Sequence, residues 1–452
     1  MQSFEIDKSD LLRIETALEG NDAELELVLL EYHASEIAML FEQLPQEAKE
    51  RIINILPTDI ASEVFAEMHE EQDAGELLIG LHPEKRTEII EELDYDDATD
   101  ILSQLDEDEQ QELLEDIDAE DAASIRELLK YEEDTAGGIM NSDLIKVNIK
   151  LDKKHALDEI IRQSEEMEDF YTVYVVNDDN VMQGILSVKS ILKARADAKV
   201  ADLVVADFVY VKADLDQEDV ASLISQYNLT NIPVVDDNMK LLGRITVDDI
   251  IDVMEEESTE DILKISGVSE DEELSGNWKE AVKSRLPWLI INLGTAYLAA
   301  SIIRHFDSTV SRIPSIAAYM TIIAGMGGNA ATQALAVTVR RISLNDLSDK
   351  QAYNAVLKEL TVGLINGAAN GLIVFGVALF YDANPMLGLV LFLAMTGNLI
   401  VAGLTGASIP LILKRVGIDP AVASSIIITT FTDCAGFLLP LWFATQLLLN
   451  HK

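Results

Sequence analysis

Along the first 130 or so residues, apolar positions recur every three or four residues, as at Leu25, Val28, Leu29 and Tyr32, or Ile52, Ile55 and Leu56. This is the period of amphipathic helices. The helices are short, because breaks fall at Leu44-Pro45, Leu56-Pro57-Thr58-Asp59 and Leu81-His82-Pro83-Glu84. A proline followed by an acidic first turn starts a helix. Repetition of this break-and-helix unit predicts stacked helical hairpins in a small superhelix, with an ordinary helical bundle as the alternative. From about residue 140 the period shortens. Thr172–Val176 and Asn231–Val235 are strand-like runs, each followed by a polar turn, a glycine, a second strand and a helix. Tyr174 aligns with Pro233, and Gly184 with Gly243, both at an offset of 59 residues, which predicts a duplicated α/β unit. Residues of about 249–278 read as one acidic helix, with Asp249, Asp252, Glu256 and Glu260 on one face. Like charges at that spacing oppose one another by a few tenths of a kcal/mol per pair.

The remainder of the chain changes character again. Five stretches, Leu286–Ile303, Ile313–Val339, Leu360–Tyr381, Ala383–Leu413 and Pro420–Asn450, contain between them a single charged residue, Asp433. Each is long enough to span a bilayer, which needs about 20 apolar residues. Composition sharpens the contrast. The net charge of −48 is carried by residues 1–285, which hold 74 acidic and 24 basic side chains, whereas residues 286–452 hold 7 and 9. An acidic soluble half joined to an apolar half excludes an ordinary soluble enzyme. It also excludes nucleic acid as a partner, since phosphates would be repelled. Cations suit such a surface. Met1–Asp10 lacks the pattern of a secretory leader, the one cysteine (Cys434) allows no intrachain disulfide, and there is neither a zinc-ligand motif nor a phosphate-binding GxxxxGK[ST] loop.

Positive charge sets the expected orientation. Lys279, Lys283 and Arg285 precede the first span, Arg340, Arg341 and Lys350 lie between the second and third, and Lys414 and Arg415 between the fourth and fifth. The acidic half is therefore expected in the cytoplasm and the C-terminus outside. Within the spans, Asp433 costs about 3 kcal/mol to insert, and such residues mark ion paths. The alternative is a structural aspartate bonded within the bundle. Asn329, Gln333 and Asn398, among Gly325-Met-Gly-Gly and Gly397, need polar partners in lipid and join Asp433 as candidate path residues.

Two resemblances follow from these motifs. The duplicated α/β unit resembles tandem CBS domains, regulatory modules that often sense adenine nucleotides or ions. The whole order, together with Tyr131-Glu-Glu-Asp-Thr-Ala-Gly-Gly-Ile-Met140, Gly325–Gln333 and Thr432-Asp433-Cys434-Ala-Gly436, resembles the MgtE family of magnesium transporters and channels. The resemblance implies a multidomain membrane protein: an all-α superhelical N-domain (1–135), a first CBS domain (136–200), a second (201–254), an acidic linker helix (255–280) and a five-helix transmembrane domain (281–452). It implies a homodimer in the cell membrane, a pore between subunits with Asp433 from each, and regulatory Mg²⁺ bound by carboxylates. Those carboxylates would be Asp59, Asp96 and Asp100 in the N-domain, Glu218 in the second CBS domain, Asp249, Asp252, Glu257, Glu260 and Asp261 on the linker helix, and Asp419 at the membrane face. ATP at the CBS pair stays open. Asn228 departs from the family, whose members can carry Asp there.

The expected function is passive Mg²⁺ uptake, driven by the membrane potential and shut when cytoplasmic Mg²⁺ bridges the acidic domains. Two alternatives are a transporter for Mn²⁺, Co²⁺ or Ni²⁺ and a membrane-anchored CBS nucleotide sensor. No nucleophile or base set supports an enzyme.

Overall fold

The computed structural model describes residues 8–41, 43–68, 72–164, 170, 172–268, 278–343, 349–420 and 424–449. Residues 1–7, residues 269–277 of the expected linker, and residues 421–423 and 450 of the expected fifth span lie outside the described residues. The chain forms two compact units, Met1–Met254 and Glu255–Lys452.

The first unit begins with ten described helices: α1 (Lys8–Leu18), α2 (Asp22–Leu29), α3 (Ala34–Phe41), α4 (Gln46–Ile55), α5 (Thr58–Ala66), α6 (Ala74–Gly80), α7 (Pro83–Glu92), α8 (Tyr95–Ser103), α9 (Glu107–Asp116) and α10 (Ala119–Leu128). They stack in two rows. α3, α5 and α7 form one, and α2, α4, α6, α8 and α10 form the other. Their apolar faces merge into a continuous core from Ile14 to Ile125. Polar ties between neighbouring hairpins recur at one spacing. Arg51 donates to Asp22 Oδ1 at 2.7 Å, Lys85 Nζ to the Leu56 carbonyl at 2.8 Å, and the Gly75 N–H to Gln104 Oε1 at 3.1 Å, each to a partner 29 residues away. The stacked superhelix expected from the proline breaks is the architecture found.

The α/β part follows with β1 (Lys146–Asn148), α11 (Lys153–Gln163), β2 (Thr172–Val176), β3 (Met182–Ser187), α12 (Val188–Lys193), α13 (Val200–Leu203), β4 (Val211–Lys212), α14 (Gln217–Tyr227), β5 (Asn231–Val235), β6 (Leu241–Thr246) and α15 (Val247–Ser266). Two three-stranded sheets, β1-β2-β3 and β4-β5-β6, each combine a parallel and an antiparallel pair. The register repeats the sequence offset. Tyr174 opposes Ile185 as Pro233 opposes Arg244, and an irregularity falls between Val175 and Val176 and again between Val234 and Val235.

One expected boundary is corrected. The acidic helix does not run to 278 but stops at Ser266. Gly267 adopts φ +76°, its N–H reaches the Lys264 carbonyl at 3.0 Å, and the Val268 N–H reaches the Leu263 carbonyl at 3.0 Å. This paired closure needs a left-handed residue, which glycine supplies without a steric penalty.

The second unit contains α16 (Trp278–His305), α17 (Asp307–Arg312), α18 (Ile316–Ser343), α19 (Asp349–Asp382), α20 (Pro385–Val416) and α21 (Ser424–Ala444), ending in a π-helical turn at Thr445–Leu449. Five of these helices are long and apolar enough to cross a membrane. Glycines set the closest contacts. A Cβ at Gly363, Gly367 or Gly403 would overlap the backbone of the partner helix in the α19–α20 pair. Small residues allow such approach where no hydrophobic effect drives helices together.

Candidate ion sites

Asp94 stands at the N-cap position of α8 without a side-chain capping bond, and Asp96 and Asp97 lie in its first turn, where free backbone N–H groups favour anions. Asp94, Asp96 and Asp97 each present a carboxylate oxygen within 4.8 Å of the others. Asp100 follows one turn later, and Asp249 approaches from the first turn of α15. Two of these carboxylates have fixed neighbours. Asn141 Nδ2 donates to Asp96 Oδ1 at 3.1 Å. The backbone N–H and hydroxyl of Thr246 both reach Asp249 Oδ2, at 3.0 and 2.5 Å. Asn141 and Arg244 exchange two backbone hydrogen bonds of 2.8 Å, so one short strand pairing holds both carboxylate supports.

The electrostatics show strain that a cation would relieve. Burial, then Asp97, Asp249, Asp94 and Asp100, push Asp96 well above the ordinary carboxylate range. Burial, then Asp94, Asp100, Asp249 and Glu67, push Asp97 up to about 8. Burial also raises Asp249, opposed by the two Thr246 bonds. Oxygen-only donors with concentrated negative charge fit a hard divalent ion. Of the expected residues, Asp96, Asp100 and Asp249 meet here. Asp94, Asp97 and Glu67 join them, as does Asn141, and sequence reasoning missed all four. The run Asp94-Tyr-Asp96-Asp97 was visible, but its contact with the β6–α15 corner was not.

Other expected residues lie elsewhere. Asp59 is exposed in the first turn of α5, and its charge is felt by Lys85. Glu218 opens α14, where its N–H bonds to Asp216 Oδ1 at 2.9 Å. Asn228 ends α14 at φ +52°, a left-handed position that asparagine tolerates better than most residues. On α15, Asp252 is exposed and Glu257 half-buried.

In the second unit, Lys264 pairs with Glu260 and, at 3.0 Å, with Asp419. The Ser343 hydroxyl donates to Asp261 Oδ2 at 3.0 Å. Burial raises Asp261, and Asp419 adds to the effect, while Ser343 and Arg340 oppose it. The end of α15 thus meets the ends of α18 and α20 through charged groups, with Ile265 packed on Leu335, Val339 and Ile428.

Within the spans, α18 and α21 run antiparallel. Gly436 packs on Ala324, and Ile428 lies with Ala331 and Leu335. Asp433 therefore comes level with about Gly327. It is half-buried and makes no hydrogen bond or ion pair among the described residues. Asn329 and Gln333 lie on an exposed stripe of α18 with Gly325 and Thr332, and they too have no side-chain partner there. Asn398 does not join them. It is wholly buried, and its Nδ2 donates to the Ile323 carbonyl at 2.8 Å.

Comparison with known proteins matches successive parts of the chain to three family models. The MgtE intracellular N domain family matches residues 32–134, the CBS domain family 136–197 and 200–256, and MgtE, a divalent cation transporter family, 320–443. The magnesium transporter MgtE of Enterococcus faecalis is 36% identical over 96% of both chains. That of Thermus thermophilus is 32% identical over 96% of this chain and 97% of its own. The cytosolic domain of the Mg²⁺ channel MgtE, solved in complex with ATP, covers 54% of this chain and 99% of its own, at 33% identity and a TM-score of 0.51. The soluble part of a magnesium transporter covers 56% of this chain and 99% of its own, at 28% identity and a TM-score of 0.50. With an acidic N domain, a CBS pair and five apolar helices in family order, this chain belongs to the MgtE family of divalent cation transporters.

Proposed function

We propose that the chain carries Mg²⁺ passively across the cell membrane as a homodimer, with its acidic domains in the cytoplasm, its C-terminus outside, and its opening set by cytoplasmic Mg²⁺. The carrying observation is Asp433, a carboxylate within a membrane span and unpartnered among the described residues, at the depth of the equally unpartnered Asn329 and Gln333. Such groups do not face lipid. A second copy against the α18 stripe would enclose them in a polar passage, where paired aspartates hold a hydrated ion. Mg²⁺ sheds water reluctantly, so charge at a distance suits it better than a dry cage. The names of the relatives support Mg²⁺ as cargo.

Regulation follows from the acidic cluster. Without cations, Asp94, Asp96, Asp97, Asp100 and Asp249 oppose one another. Mg²⁺ there stabilises the closed arrangement of the first unit, and α15, which carries Asp249 at one end and Asp261 at the other, is the element that passes the change on. Shifting a gate from 1:99 to 99:1 takes about 5.5 kcal/mol, a load that several ions share. The ATP complex of a relative supports a nucleotide at the CBS pair.

The test of cargo is uptake into liposomes loaded with a Mg²⁺-sensitive dye, with Mn²⁺, Co²⁺ or Ni²⁺ as competitors. Mg²⁺ influx that equimolar softer ions leave largely intact is the expected result. Preferential uptake of one competitor would assign the path to that ion instead.

A further inference from the structure

Asn398, in the middle of α20, is a buried polar side chain that the conduction path leaves unused. Its Nδ2 reaches the Ile323 carbonyl of α18 at 2.8 Å. That approach exists only because residue 327 is glycine, since a Cβ there would overlap the Asn398 amide. Ile323 and Gly327 are one turn apart, so the amide shares a carbonyl that also serves the helix. Its Oδ1 has no partner among the described residues. An unpaired buried oxygen is a cost that leucine or methionine would avoid while filling similar space. The bond to Ile323, rather than packing, accounts for asparagine at this position.

The geometry of α18 says what the bond controls. Asn329 lies two residues beyond Gly327, about 200° around the helix, and Gly325, Asn329 and Gln333 line up one turn apart on that opposite face. A rotation of α18 at Gly327 therefore turns the polar stripe by the same angle. The other flank of α18 is held by Gly436 of α21, where a Cβ would lie 2.7 Å from Ala324 Cα. We propose that Asn398 is a positioning residue for permeation: its amide, seated on Gly327, fixes the rotation of α18 and so aims Asn329 and Gln333 at the depth of Asp433. The proposal rests on the conduction reading above.

The test uses the full chain in liposomes and compares Asn398→Leu, Asn398→Ala, Gly327→Ala and the double variant Asn398→Ala/Gly327→Ala. The readout is the ratio of Mg²⁺ to Ca²⁺ influx, which a merely structural role would leave unmoved. Asn398→Leu and Gly327→Ala should each shift the ratio about tenfold, within the range for residues in direct contact. The double variant should return to within about threefold of Asn398→Ala, because the shortened side chain makes room for the methyl group. A wild-type ratio in folded Asn398→Leu, or a double variant as impaired as the two single effects multiplied, would overturn the proposal. If Asn398→Leu does not fold, the comparison of Gly327→Ala with the double variant decides. Asp433→Asn is measured alongside. Wild-type influx in that variant would overturn the conduction reading, whereas a silent Asp433→Asn beside unchanged Asn398 variants would overturn the positioning role alone.

Discussion

Replacing Asp97 by Asn should stabilise the protein in the absence of Mg²⁺ and weaken its response to Mg²⁺. The folded carboxyl is held at about 8 by burial and by Asp94, Asp100, Asp249 and Glu67, against 3.8 for an ordinary aspartate. Because the folded value is the higher one, folding takes up a proton between those pH values. The contribution is fully present below about pH 4 and is lost as pH rises through about 8. At pH 7 the unfolded group has crossed about three pH units, each worth about 1.4 kcal/mol, a ceiling of about 4 kcal/mol against folding. Water reaching a half-buried group roughly halves this, to about 2 kcal/mol. For a unit of this size the corresponding shift in Tm is about 4–8 °C. Mg²⁺ at a hundred times its Kd would add about 2.7 kcal/mol to the wild type. The assay is thermal unfolding of the full chain in detergent at pH 7, with EDTA or with Mg²⁺. Asp97→Asn should melt above wild type in EDTA and gain less from Mg²⁺. A variant that melts no higher in EDTA, or gains as much from Mg²⁺, would show that the Asp97 charge neither opposes folding nor helps to bind the ion.

Three further outcomes are expected. Neutralising Asp249, Asp252 and Glu257 together should leave influx that persists at high cytoplasmic Mg²⁺, and normal closure of that variant would remove α15 from the gate. Asn141→Leu deletes the amide on Asp96, and by analogy with the supporting shell of other metal sites should raise the Mg²⁺ needed for half-maximal closure about tenfold. Gly403→Leu would drive a side chain into the Glu359 carbonyl across the α19–α20 contact. It should cost about 1–3 kcal/mol or more, read as loss of folded protein in detergent.

Elements that repeat or follow one period were legible from residues alone. The 59-residue offset reappears in the pairing of β2 with β3 and of β5 with β6, and the proline breaks mark the helices of the superhelix. The end of α15 was available too, since Lys264 followed by Gly267 is a helix-stop signal, but the run of acidic residues beyond it drew the helix too far. Groups assembled by tertiary packing were harder. Asp97 and Asn141 join the cluster because Asn141 bonds to Asp96 at the start of α8 and pairs with Arg244 of β6, and no local spacing reports that contact. Asn398 shared its polarity with Asn329 and Gln333. Only the packing of α20 on Gly327 separates a residue turned inward from two turned outward.

On the proposed function, Asp433 forms the ion passage and cytoplasmic Mg²⁺ closes it. Single-channel recording in reconstituted bilayers, with Mg²⁺ varied on the cytoplasmic side, tests both parts at once. Wild type should conduct at low Mg²⁺ and fall silent at high Mg²⁺, while Asp433→Asn stays silent throughout despite folding normally. Wild-type currents from Asp433→Asn, or openings indifferent to cytoplasmic Mg²⁺, would contradict it.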